Sequence, residues 1–308
     1  MLLLIGQLDF EPFKKLPIET YKAGSLEDVP KQVKSNVKII VSRGAHFFYD
    51  EKIFQQFPNL KYLFLAQIWT DNVDFEAAQR HWVVVKNFVS PLTVDSVAEL
   101  AVGMLILGIK QAFYLGNLLK NWTYTRQVLG RNMANVKIGL LGFGRIWQKI
   151  RDLLKLFGAQ IVVYDVVFEK WNDNKVKDLE GKFNIKVAKS LEQFLQQAEY
   201  ISVQVPGQWN EKLLDYEKLK NIKWLVNVAR PYVVVENDVL KLLDEDKLQF
   251  YATDVLEWEP DIRKINKKLL QHPKVFATPH IGANTEEVQQ DLVRQIAEEI
   301  KNLVGKRK

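Results

Sequence analysis

The stretch Leu140-Leu-Gly142-Phe-Gly144-Arg-Ile-Trp147 leaves the chain few ways to fold. Ahead of it, Val136 to Leu141 is an apolar run of the length of a buried strand. Behind it, Ile146, Ile150, Leu153, Leu154 and Phe157 recur at helical spacing until Gly158 stops the run. Ile161-Val-Val-Tyr-Asp165 then reads as a second strand that ends in a carboxylate. Strand, glycine turn, helix, strand and acid make a dinucleotide-binding unit. Gly142 allows the tight turn, Gly144 lets backbone approach a pyrophosphate, and the helix start offers free N–H groups and partial positive charge. Asp165 can accept hydrogen bonds from ribose hydroxyls and would repel a 2′-phosphate, which favours NAD over NADP. Trp147 stands where close helix–strand packing asks for a small residue. Either the helix sits further out, or the indole turns away from the sheet. The blander alternative is an ordinary βαβ crossover whose glycines only make a turn.

With 308 residues the chain is long enough for about two domains with substantial cores. No cysteine is present, which excludes disulfides, thiolate metal sites and cysteine nucleophiles. The net charge of +6 is spread along the chain apart from Gly305-Lys-Arg-Lys308, which reads as a solvated end. No basic stripe points to nucleic acid. Met1-Leu-Leu-Leu-Ile5 lacks a basic leader and suits a first strand, and Ala98 to Ile109 is shorter than the ~20 residues of a membrane span. The expectation is a cytoplasmic protein with no membrane, nucleic-acid or metal partner. The second apolar run reads as one long buried helix, roughly Val94 to Leu119, apolar nearly all round and covered in part by a second subunit.

Strand signals at Leu2 to Ile5, Val37 to Ser42, Tyr62 to Leu65 and Trp82 to Val85 alternate with helix signals at Tyr49 to Phe57 and Val73 to Arg80. Further strands are expected at Tyr200 to Val205, Lys223 to Val228, Gln249 to Asp254 and Val275 to Ala277, with helices near Leu191 and Val239. A last helix follows Asn284-Thr285 with an apolar stripe of Val288, Leu292, Ile296, Ile300 and Leu303. The expected class is α/β: two Rossmann-like, doubly wound parallel-sheet domains with a cleft between them. The domains would be 1–93 with 284–308, and 94–283.

Three later strand ends carry polar chemistry, where ligands bind in open α/β sheets. Leu225-Val-Asn-Val-Ala-Arg230 presents a guanidinium able to grip a carboxylate bidentately, or to sit in a surface ion pair. Ala252-Thr-Asp254-Val-Leu-Glu257-Trp-Glu259-Pro260 presents three acids, on a working loop or a merely solvated one. Ala277-Thr-Pro-His280-Ile-Gly282 presents a histidine, structural or a general acid–base. His46, His81 and His272 have less suggestive surroundings.

Together these segments resemble the D-isomer-specific 2-hydroxyacid dehydrogenase family over nearly the whole chain. Matching pieces include Asn72-Val-Asp74, Ser96-Val-Ala-Glu99, Gly142-Phe-Gly144-Arg-Ile, Asn227-Val-Ala-Arg230, Glu259-Pro260 and Thr278-Pro-His280-Ile-Gly282. Arg230, Glu259 and His280 follow the family's order at separations of 29 and 21 residues. The resemblance implies an NAD-dependent oxidoreductase that moves a hydride between nicotinamide C4 and C2 of a small D-2-hydroxy or 2-oxo acid. His280 would be the proton donor or acceptor, Glu259 would orient it and raise its pKa, and Arg230 would hold the substrate carboxylate. Asp254 would contact the nicotinamide end. The phosphate turn would comprise Gly142, Phe143, Gly144, Arg145 and Ile146, with Asp165 on the ribose. Val205, Pro206, Val228, Ala229, His280 and Gly282 would complete the cofactor contacts. Ile68, Trp69, Arg230 and His280 would bind substrate. NADH would be preferred over NADPH, and the chain would form a homodimer through the cofactor domain.

The chain departs from the family at Trp147, at Trp69 where a glycine is usual, and at Pro231 after Arg230. Lost glycines restrict the backbone, and an indole at 69 narrows a pocket. These departures motivate an alternative: a degenerate member acting as an NAD(H)-responsive binding or regulatory protein.

Overall fold

The computed structural model describes residues 1–6, 8–9, 11–43, 47–67, 70, 72–207 and 210–305. Contacts gather them into two compact units, Met1–Thr93 with Asn284–Lys308, and Val94–Ala283. Both are parallel sheets wound with helices, so the α/β, doubly wound class is the one observed.

In the first unit, β1 (Leu2–Ile5), β2 (Thr20–Ala23), β3 (Ile39–Ser42), β4 (Tyr62–Leu65) and β5 (Val84–Asn87) pair in the order β2-β1-β3-β4-β5, all parallel. β1 and β3 are buried at every residue, as a sheet covered on both faces requires. Phe54, Phe57, Ala77 and Ala78 cover one face. The Glu286–Gly305 helix covers the other, its Val288, Leu292, Ile296 and Ile300 clustering with Leu2, Leu4, Val41 and Phe64. Asp50 and Asp74 start the Glu51–Gln56 and Phe75–Arg80 helices by accepting the Ile53 and Ala77 N–H groups. Two local expectations shift. β2 is an edge strand whose Thr20-Tyr-Lys-Ala carries too little apolar signal to be read. β5 begins at Val84, because Trp82 takes a left-handed backbone (φ 56°) and points its indole into solvent.

In the second unit, β6 (Lys137–Leu141), β7 (Gln160–Tyr164), β8 (Lys186–Val187), β9 (Tyr200–Val203), β10 (Trp224–Asn227), β11 (Phe250–Thr253) and β12 (Val275–Ala277) form one parallel sheet. The order β12-β11-β10-β9-β6-β7-β8 reverses between β6 and β9. That reversal opens a crevice beyond the carboxyl ends of the two strands, which is where Gly142 lies. The single helix expected over 94–119 is two, Leu92–Ile109 and Ala112–Lys120. Gln111 is left-handed between them (φ 55°), and the returning Arg131 N–H takes the Ile109 carbonyl at 2.8 Å. Among the described residues Leu92–Ile109 is the one helix long and apolar enough to cross a membrane, and 56% of it is buried inside the protein. It is a core helix, with Ala98, Ala101, Met104, Leu105 and Ile109 fully or almost fully buried. An eleven-residue helix, Asp173–Phe183, falls where the sequence shows no strong apolar period.

Candidate active site

The glycine turn is built for approach from outside. Gly142 has φ 111°, and a Cβ on it would lie 2.9 Å from the Gln204 carbonyl, so both backbone and space demand glycine. A Cβ on Gly144 would meet nothing within 4 Å. Gly144 caps the Arg145–Leu156 helix with no side-chain hydrogen bond, so the first N–H groups of that twelve-residue helix have no side-chain acceptor at the cap. Phe143 and Ile146 are half-buried and Arg145 is exposed. Asp165 closes the turn: its Oδ2 accepts the Phe143 N–H at 2.9 Å and its Oδ1 accepts the Val167 N–H at 3.1 Å. Each oxygen keeps a further lone pair. Trp147 is fully buried, its ring 4.5 Å from Phe143 and 5.9 Å from Phe183, with the Arg151 guanidinium 5.0 Å away. The indole thus belongs to the core aromatic cluster rather than to the surface of the turn.

The chemistry-bearing strand ends are tied together by buried polar groups. Asn227, the last residue of β10, accepts the Ala229 N–H through Oδ1 and donates Nδ2–H to the Arg230 carbonyl, both at 3.0 Å. This fixes the turn that carries Arg230, whose Nη1 also donates to the Ala229 carbonyl at 2.9 Å. Pro231 opens a short 3-10 turn at its first position, where no N–H is needed. Thr253, at the end of β11, donates its one hydroxyl proton to the Val255 carbonyl, with the Asn227 carbonyl further off at 3.3 Å.

Asp254 is 3% exposed and organises the histidine segment. Its Oδ1 accepts the Thr278 hydroxyl at 2.6 Å and the Ile281 N–H at 2.8 Å; its Oδ2 accepts the Gly282 N–H at 2.7 Å. Burial raises its pKa even against these bonds. A Cβ on Gly282 would lie 2.9 Å from that same Oδ2, so the residue there has to be small. Held this way, His280 adopts a left-handed backbone (φ 55°), strain that three anchoring bonds can sustain. Its Nδ1 meets Glu259 Oε1 at 2.7 Å, and Glu259 Oε2 accepts the Leu256 N–H at 3.0 Å. The hydrogen bond to Glu259 is the largest influence on the ring and raises its pKa; Asp254 adds to it, while burial and the Arg230 charge pull the other way. Arg230, Asp254 and Glu259 therefore all lie within electrostatic reach of His280. Val205, Val228, Ala229 and Pro206 follow β9 and β10 at the same edge of the sheet. Ile68 and Trp69, expected to bind substrate, lie outside the described residues, as does His46.

The sequence assigns no role of their own to Asn227, Thr253, Thr278 and Ser96, whose hydroxyl donates to the Gly282 carbonyl. Their signal was present: each is a polar residue at the end of an apolar run or inside one.

A doubly wound parallel sheet with a glycine turn at its reversal, and an arginine–carboxylate–histidine constellation at neighbouring strand ends, defines a dehydrogenase-like nucleotide domain. Residues 102–282 match the model of the D-isomer specific 2-hydroxyacid dehydrogenase, NAD binding domain, and the chain belongs to that family. It is 31% identical over 257 residues to a D-3-phosphoglycerate dehydrogenase of Bacillus subtilis (strain 168), covering 81% of this chain and 46% of that protein. The chain thus spans about half the length of that relative. It is 29% identical over 252 residues to a hydroxypyruvate reductase of Thermotoga maritima, covering 80% and 78% of the two chains. The fold matches that of a D-lactate dehydrogenase from Aquifex aeolicus, solved with NAD and lactic acid, at a TM-score of 0.80 and 21% identity, over 99% of this chain and 96% of that one.

Proposed function

We propose that the chain is an NAD-dependent oxidoreductase interconverting a small D-2-hydroxy acid and its 2-oxo acid. The carrying observation is the 2.7 Å contact between His280 Nδ1 and Glu259 Oε1, on a loop fixed by Asp254. With Nδ1 engaged by a carboxylate, Nε2 is the ring atom left to give a proton to a carbonyl oxygen or take one from a hydroxyl. Glu259 keeps the ring charged to higher pH and fixes its tautomer. Arg230 grips the substrate carboxylate and polarises the neighbouring carbonyl.

The nucleotide fits the turn, because Gly144 leaves open space before a helix start that no side chain caps. When bound, NAD supplies or accepts the hydride at C2 of the acid. Asp165 can accept a ribose hydroxyl on its remaining lone pairs and repels a 2′-phosphate, so NADH is preferred over NADPH. In this reading residues 94–283 are the cofactor domain, and residues 1–93 with 284–308 are the substrate domain. The chain acts as a homodimer through the cofactor domain, where Leu119, Trp122, Tyr124 and Leu129 are exposed. The alternative of a binding protein without turnover gains nothing from Trp147, which is sunk in the core.

The experiment is NADH absorbance with glyoxylate, hydroxypyruvate, pyruvate and longer 2-oxo acids, alongside NADH fluorescence titration. Turnover with at least one acid is expected; no turnover and no NADH binding would sink the proposal.

A further inference from the structure

The segment carrying Glu259 is held from a second direction. Glu259 accepts the Leu256 N–H, and the next amide, that of Glu257, donates to Glu236 Oε1 at 2.8 Å. Glu236 is the first residue of the Glu236–Asp244 helix and is 3% exposed. It shares that helix's buried face with Val239, Leu242 and Leu243. A carboxyl among such neighbours costs stability that an apolar side chain of similar size would not. Burial, assisted by the charges of Glu257 and Glu259, pushes its pKa up to about 7. Tyr251, whose pKa is raised chiefly by its own burial, also feels Glu236. A group so expensive to bury, bonded to the backbone two residues before Glu259, has its use in that bond.

We propose that Glu236 is a positioning residue for the acid–base pair: its carboxyl pins the Glu257 amide and so holds Glu259 within hydrogen-bond reach of His280. This rests on His280 acting as the acid–base, but its first test does not need turnover. The chain has four histidines, so the His280 ring signal can be followed by proton–carbon NMR and identified by its loss in His280→Asn. In the unmodified chain His280, bonded to Glu259, is expected to titrate above the ordinary histidine value. Glu236→Gln keeps an oxygen that can accept the Glu257 N–H and is expected to leave that titration in place. Glu236→Met fills the volume without an acceptor; His280 should then fall back to the ordinary range. Its kcat should drop roughly tenfold or more with KM for NADH unchanged, an effect on proton transfer rather than on binding. A merely structural role would move thermal stability and leave the titration alone. A Glu236→Met titration that superimposes on the unmodified one overturns the proposal. If Glu236→Met does not fold, hydrogen exchange at the Glu257 amide of the unmodified chain decides: protection supports the pinning bond, and exchange as fast as at an open amide overturns it. Should no variant turn over any acid while the titrations behave as stated, the oxidoreductase reading fails and the positioning role stands.

Discussion

The two halves of the site are finished to different degrees. At the histidine corner the protein satisfies its own groups: Asp254 accepts three hydrogen bonds, Glu259 holds a backbone amide and the His280 ring, and Asn227 spans the Arg230 turn. At the glycine turn the structure stops short: Gly144 faces open space and its helix start has no side-chain cap. On the proposed function the contrast separates two tasks. Groups that move protons are preorganised by the chain, since a misplaced ring costs rate directly. Groups that hold a phosphate are left unsatisfied, since an internal partner would compete with the ligand. Substitutions at the first corner should therefore damage rate and fold together, whereas those at the turn's open side should damage binding alone.

The hardest test of that division is His280→Ala. Turnover should fall by about 10²–10⁴, the usual contribution of a general acid–base, while NADH fluorescence titration shows binding retained. Unchanged turnover would remove His280 from its role. The unmodified chain offers a milder version. Glu259 holds the His280 pKa above the ordinary 6.5, so the charged ring persists past that pH. Reduction, which needs the proton, should stay level below 6.5 and fall as pH rises through the raised value; oxidation should show the mirror image. The pair's contribution to stability has the same sign, being present in full below 6.5 and lost through the raised pKa.

Asp254→Ala comes next. It orphans the Ile281 and Gly282 amides and the Thr278 hydroxyl at a buried site, at a cost of about 3 kcal/mol read by denaturant unfolding. A loss below about 1 kcal/mol would mean that the corner is not held by its own chain. The turn then supplies an internal control. Gly142→Ala should cost about 2 kcal/mol of stability, because its φ is positive and the new methyl meets the Gln204 carbonyl. Gly144→Ala should leave stability within about 0.5 kcal/mol and weaken NADH binding roughly tenfold. If both lose stability equally, the open side of the turn is not open.

What could be read in the sequence divides along the same line. The glycine turn was legible because it is local: strand, turn, helix and acid lie in one continuous stretch. Its switch-point location depends on the strand order, with β6 between β9 and β7, which alternation alone does not fix. From the residues themselves the corner was legible only in type, and the pairing of Glu259 with His280 came only through the family resemblance. That His280 meets Glu259 depends on β11 and β12 pairing in register, Thr253 opposite Ala277, which no local pattern encodes. The break at Gln111 was hidden because the apolar run continues past it, and what ends the first helix is a distant segment, Gly130-Arg131, returning to its last turn. Nothing local sets Glu236 apart from any other acid in a helix's first turn, where such residues usually face solvent.

Trp147→Phe offers the smallest effect and the finest test of where the turn ends and the core begins. As a replacement for a small residue the indole should either displace the helix or find room elsewhere, and it is buried among Phe143, Phe183 and Arg151. Its Nε1 has no hydrogen-bond partner among the described residues, so the indole carries a desolvation penalty of about 1–3 kcal/mol that a phenyl ring would not. Trp147→Phe removes that penalty and leaves a cavity of opposing cost, about 24 cal/mol per Å³ of unfilled volume. The two terms nearly cancel, so stability should change by less than about 1 kcal/mol. NADH affinity should not move, because the ring lies on the core side of the turn. Trp147→Ala, which keeps only the cavity term, should cost about 3–5 kcal/mol. A Trp147→Phe protein of unchanged stability but altered NADH affinity would place the indole in the nucleotide's path, and the boundary between the closed and open sides of the turn would have to be redrawn.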